Sequence, residues 1–198
     1  MKKLVSETIL TRLSHDIVGN IGAVSNAVEL LEEGDLDFID DIKSILKTSS
    51  QTLANRMKFF RLAFGLDNPN LEDENIVKSI AQNYLLTLGN KDFPIKLSFN
   101  VNQVNLRKKA LIAIMAVADL LIRGGNIEIE DSAGCLVAKF DASFKFSEEK
   151  LKKMVEATQN NSPVIEASLA PILALTCMDD VKNVEFINDD KFIKLVVE

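Results

Sequence analysis

Between about residues 4 and 66, apolar side chains recur at helical spacing and no proline interrupts them, which predicts two long helices. The first carries the stripe Val5, Ile9, Leu13, Ile17, Ile21, Val24, Val28 and Leu31. The second carries Phe38, Ile42, Ile45, Leu46, Leu53, Met57, Phe60 and Phe64. Between them lies an acidic stretch in which Gly34 can end one helix and Asp35 or Asp37 can cap the next. So short a joint makes an antiparallel hairpin. Two helices cannot cover both stripes by themselves, whereas a symmetric pair of hairpins closing into a four-helix bundle can, so the pattern predicts a homodimer.

Turn-forming residues from Asp67 to Asp73 mark a boundary, which divides the chain into residues 1–67 and residues 73–198. Beyond it the periodicity changes from element to element. Residues 75–88 and 106–122 read as helices, 95–101 as a strand, and 126–130 with 135–141 as a strand pair. Residues 148–157 and 165–177 read as helical, with Pro171 a kink or break, and 184–187 with 192–197 as a closing hairpin around Asn188, Asp189 and Asp190. The fold class expected is α+β: a helical hairpin followed by an α/β sandwich.

A net charge of −6 over 198 residues gives no basic face for nucleic acid or an anionic membrane, so neither is an expected partner. The N-terminus lacks a signal-peptide core and no apolar run approaches the ~18 residues of a membrane span, which suggests a cytoplasmic protein. Cys135 and Cys177 each sit in an apolar context and read as reduced thiols, not as a disulfide or a metal site.

His15 is the one histidine of the chain. At ~100° per residue it lies roughly 165° from the centre of the first apolar stripe and should face water. Thr8, Thr11, Gly19, Gly22 and Asn26 share that face, and all are small or polar. A glycine inside a helix costs about 1 kcal/mol relative to alanine, and a merely solvated face has no need of two. They clear space for another protein to approach the imidazole. Imidazole is largely unprotonated and nucleophilic at neutral pH, and its phosphoramidate remains a high-energy donor. The adjacent Asp16 could orient the ring through Nδ1 or accept its proton.

The stretch Leu13-Ser14-His15-Asp16-Ile17-Val18-Gly19-Asn20-Ile21-Gly22-Ala23-Val24, followed by Glu29-Leu30-Leu31, resembles the phosphohistidine box of two-component sensor kinases. It is closer still to the box of the ChpT-type histidine phosphotransferases, with Asn20 and Gly19 standing where those families usually carry a proline after a serine or threonine. The resemblance implies His15 as the phosphorylated residue. It also implies response-regulator receiver domains as partners, docking over Thr8, Thr11, Arg12, Gly19, Asn20, Gly22, Ala23 and Asn26, and a degenerate kinase ATPase-like (Bergerat-type) second part. The helix that would bear the ATP-binding asparagines reads Ala113-Ile114-Met115-Ala116-Val117-Ala118-Asp119. The two glycine boxes are matched by Asp141-Ala142-Ser143-Phe144-Lys145-Phe146 and Ala167-Ser168-Leu169-Ala170-Pro171-Ile172, neither of which contains glycine. Arg123-Gly124-Gly125 reads as a helix cap and turn. No cofactor of the chain's own is expected, and Mg²⁺ would come from the acidic pocket of the receiver. The competing readings are an ATP-dependent sensor kinase core and a noncatalytic dimeric adaptor whose histidine is incidental.

Overall fold

The computed structural model describes residues 2–34, 38–66, 68–88, 92–121, 123–132, 134–143, 146–159, 166–188 and 192–198. Helix α1 (Lys2–Glu32) runs back along α2 (Ile39–Phe64). Gly34 ends the first of them with φ at +75°, a left-handed conformation that glycine takes without strain. The caps proposed at Asp35 and Asp37 lie outside the described residues.

A short 3₁₀ turn, Pro69–Glu72, leads into α3 (Glu74–Leu85), whose first turn is closed by the Asp73 carboxylate accepting from the amides of Asn75 and Ile76 at 2.8 and 3.3 Å. Then come β1 (Ile95–Asn100), α4 (Val104–Ala118), β2 (Gly125–Ser132), β3 (Cys135–Ala142), α5 (Glu148–Gln159), α6 (Ala170–Thr176), β4 (Val184–Asn188) and β5 (Ile193–Val197). The strands form one sheet in the order β1-β2-β3-β5-β4. β1 and β2 are parallel because α4 crosses between them, and the other pairings are antiparallel. The α+β class is thus as the pattern predicted.

Alternation sets which face of the sheet is covered. In β2, Ile127 and Ile129 are buried while Asn126 and Glu128 are exposed. Helix α4 lies over the covered face and is buried on nearly every side from Leu106 to Ala118, which explains why its apolar residues show no clean periodicity. It ends at Ala118, earlier than the apolar run suggests, as the chain turns through Asp119 and Leu120. Arg107, buried in the first turn of α4, is fully engaged. Its guanidinium donates to the carbonyls of Val101, Leu71, Glu72 and Asn102 at 2.6 to 3.1 Å and so fastens the start of α4 to the turn before α3.

Two expectations need correction. Pro171 neither kinks nor breaks a helix; it stands in the first turn of α6, where its missing N–H has no partner to lose. Nor do the two stripes of the hairpin point to one common partner. Val5, Ile9, Leu13 and Ile17 pack with Phe59, Phe60, Leu62 and Ala63 into the same core as α3, α4 and the sheet. Farther along, Ile21 (51% exposed), Val28, Leu31, Phe38 and Ile45 face outward, together with Leu10 (66%) and Val18 (63%) from α1 and Met57 from α2. The first stripe is therefore split lengthwise between the chain's own core and a surface that nothing among the described residues covers, while in the second Ile42 is buried near the hairpin turn and Met57 is exposed nearer the core.

Candidate functional site

His15 sits at that division, halfway along α1, and its side chain is 86% exposed. The adjacent position is the opposite. Asp16 is turned towards the rest of the protein, and its carboxylate is divided between two neighbours: Oδ2 accepts from Arg12 Nε at 3.0 Å, while Oδ1 lies 3.7 Å from His15 Nδ1. The first is a hydrogen bond. The second is too long to be one, though the carboxylate lies on the Nδ1 side of the ring.

Arg12 is one helical turn before Asp16, the spacing at which side chains on one face meet. Its guanidinium is only 14% exposed and bridges two acids, donating through a second nitrogen to Asp119 Oδ1 at 2.8 Å. Asp119 follows the last turn of α4 and is 8% exposed. Burial works against the Arg12 charge, but Asp119 and Asp16 outweigh it and hold its proton more tightly than water does. Burial also lifts the Asp119 carboxyl above its ordinary range, with Arg12 pulling it back. The pair is read as ionic because a guanidinium does not lose its charge and the contact is short. Removing one partner of so buried a pair strands the other, at a cost of about 3–5 kcal/mol.

The main chain at residue 16 is held as well. Its carbonyl accepts from Arg56 of α2 at 2.6 Å and from the Asn20 side-chain amide at 3.2 Å. Arg56 is itself fixed by the Thr87 hydroxyl and carbonyl at 3.2 and 3.3 Å. Below this network Tyr84 stacks on Phe59 with ring centroids 3.8 Å apart. The Tyr84 hydroxyl and Asp119 Oδ2 are both buried and have no hydrogen-bond partner among the described residues. Burial, and next the charge of Asp119, raise the Tyr84 phenol above its ordinary range.

Of the residues read as a docking face, Thr11, Gly19, Gly22 and Asn26 are exposed along the His15 side of α1, and a Cβ added at either glycine would meet nothing within 4 Å. Asn20 and Ala23 are half-buried. Two expectations fail. Thr8 is buried, with its hydroxyl bonded back to the Leu4 carbonyl at 2.8 Å, because the start of α1 is enclosed by α6 and the turn before it. Arg12 is committed inward, so it is not a free contact for a partner. Asp119, Arg56, Thr87 and Tyr84 were not singled out by sequence. Only Asp119 left a trace there, as an acid closing an otherwise apolar helix.

Of the segments read as a degenerate nucleotide site, those described are largely packed into the core. Ala113, Ile114, Met115, Ala116 and Val117 are all buried in the core. Residues 167–172 form a 3₁₀ turn running into α6, with Leu169, Ala170, Pro171 and Ile172 buried. Phe144 and Lys145 lie outside the described residues. Gly124, with φ at +72°, makes the turn into β2, but the helix-cap half of that reading fails, since α4 ends earlier and its C-cap is Asp119. No helix among the described residues is long and apolar enough to cross a membrane.

No protein-family model matches the chain. Among curated proteins, 57 residues are 40% identical to the protein phosphotransferase ChpT of Brucella abortus (strain 2308). That match spans 29% of this chain and 26% of the relative, about a quarter of its length. Among solved structures, a bacterial phosphotransferase superposes with a TM-score of 0.75 over 98% of this chain and 95% of its own, at 22% identity. Over that stretch the chain resembles ChpT in sequence, and over almost its whole length it shares the fold of a bacterial phosphotransferase.

Proposed function

We propose that the protein is a histidine phosphotransferase, which accepts a phosphoryl group on His15 from one response-regulator receiver domain and passes it to another without using ATP. The single observation that carries the proposal is the placement of His15: 86% exposed on a helix, with Thr11 and Gly19 one turn to either side and a carboxylate on the Nδ1 side. That arrangement leaves Nε2 as the nitrogen open to a partner.

Phosphoryl transfer needs in-line approach and charge neutralisation more than covalent help from the protein. The Nε2 lone pair attacks the phosphorus of a receiver's aspartyl phosphate. The N–P bond forms as the bond from phosphorus to the aspartyl oxygen breaks, and the freed carboxylate stays on the receiver. The ring keeps its Nδ1 proton and gains positive charge, which the Asp16 carboxylate stabilises. The reverse sequence on a second receiver returns the ring to its starting state. The Mg²⁺ that would neutralise the phosphoryl oxygens is expected from the receiver's acidic pocket.

In this reading residues 1–67 form the transfer and dimerisation module, carried by residues 73–198. The exposed apolar side chains of the hairpin, Leu10, Val18, Ile21 and Val28 on α1, form the surface a second copy would cover. ATP independence is supported by the apolar packing of α4 and of residues 167–172, the segments that would have to supply polar contacts and open backbone to a nucleotide. Transfer from a ³²P-labelled receiver domain tests the proposal, with labelled phosphate expected on the wild type and its onward passage expected on adding a second receiver. A protein that autophosphorylates from ATP, or that signals normally with His15 replaced, would overturn it.

A further inference from the structure

We infer that Arg12, Asp119 and Arg56 are positioning residues that lock Asp16 in place, so that one carboxylate oxygen stays turned to the Nδ1 side of His15. The inference rests on the proposed phosphotransfer for its purpose, but not for its geometry.

An exposed carboxylate beside an exposed histidine would rotate freely and spend much of its time in water. Asp16 does not have that freedom. Arg12 Nε takes Oδ2 at 3.0 Å, and Arg12 cannot follow Asp16 outward because its other nitrogen is tied to Asp119 at 2.8 Å. Arg56 reaches across from α2 to the Asp16 carbonyl at 2.6 Å, so the backbone that carries the carboxylate is fixed as well. A mid-helix carbonyl already serves the amide four residues on, and a guanidinium added to it is an arrangement that helix formation does not require. The contacts to residue 16 thus come from α1, from α2 and, through Asp119, from the end of α4. They leave only Oδ1 uncommitted, and that atom is 3.7 Å from Nδ1. A small rotation of the exposed ring closes this gap to a hydrogen bond. The ring is then held as the Nδ1–H tautomer, with Nε2 bare for attack.

Lysine at position 12 would keep the charge but could not bridge two carboxylates in one plane, so Arg12→Lys separates geometry from charge. His15 is the only histidine, so ¹⁵N-labelled protein gives one pair of imidazole nitrogen signals and reads the ring directly, with no partner present. The wild type should show the neutral ring mainly as Nδ1–H. Asp16→Asn, Arg12→Lys and Asp119→Asn should each move it towards the Nε2–H form that free imidazole prefers. Transfer at saturating phosphorylated receiver should slow by ~10²-fold for Asp16→Asn, the low end for a positioned acid or base, and by roughly 10-fold for the other two, with KM unchanged. Ile129→Val, a core change in β2 away from the network, should move neither readout. A folded Arg12→Lys variant with wild-type ring signals and wild-type saturated rate overturns the inference, and Arg56→Lys gives the same test should Asp119→Asn prove too unstable to purify. Failure of the wild type to take phosphate would instead count against the proposed function, and would leave the ring measurement standing.

Discussion

The two halves of the helical hairpin are built from similar residues and do different things. Near the chain's own α+β layer, Val5, Phe59, Phe60, Leu62 and Ala63 are buried, and charged side chains such as Arg12 and Arg56 are spent on internal bonds. Towards the hairpin turn the same kinds of residue, Ile21, Val28, Leu31, Phe38 and Ile45, stand in solvent, and on α1 only Ala27 is buried. His15 lies at the junction. The comparison teaches that one stripe on one helix can change its environment along its length, from the chain's own core to an exposed face. The histidine is placed where the packed half ends and the exposed half begins.

The contrast can be tested from its strongest side first. Phe59→Ala removes a fully buried ring stacked on Tyr84 and should cost about 3–5 kcal/mol, measured by chemical denaturation. A loss below about 1 kcal/mol would mean that the near half is not part of the core. In the far half the double change Ile21→Asp and Val28→Asp should leave the fold of each subunit intact, since both side chains are exposed in it. It should halve the mass seen by light scattering, from a dimer to the 21.9 kDa monomer. A wild type that is already monomeric at micromolar concentration would remove the reason for that surface. The smallest effect belongs to Gly22. With nothing within 4 Å of a Cβ there, Gly22→Ala should raise stability by about 1 kcal/mol. Gly22→Leu should likewise fold, yet it should slow transfer by filling the space beside His15. Normal transfer in the leucine variant would show that the small-residue face is not where a receiver docks.

How much of this was legible in sequence follows the same division. Periodicity located both helices of the hairpin and the strands, because half-buried elements print their exposure on the chain, whereas the hidden α4 was legible only as a long apolar run. It also placed His15 correctly, since an exposed face opposite an apolar stripe is a local property. Periodicity could not say that Val5 and Ile21, on one stripe, would differ in burial, because that depends on where α6 and α4 come to lie. Thr8 was misjudged for the same reason: it shares the His15 face by angle, but α6 covers that face at the start of the helix. The Arg12–Asp16 pair was visible as an i, i+4 spacing, whereas Asp119 lies 107 residues from Arg12 and Arg56 lies 40 from Asp16. Contacts of that range are made by the tertiary fold and leave no spacing to read.

The central claim is that His15 itself carries the phosphoryl group. The most direct test incubates the wild type and His15→Gln with a panel of phosphorylated receiver domains from the same genome, and then measures protein-bound phosphate that is labile in acid and stable in base. Glutamine keeps a polar side chain on an exposed helical face, so the variant should fold and bind a receiver as the wild type does. The account predicts label on the wild type and none on His15→Gln, which has no second histidine to take over. Acid-labile phosphate on the His15→Gln protein would contradict it.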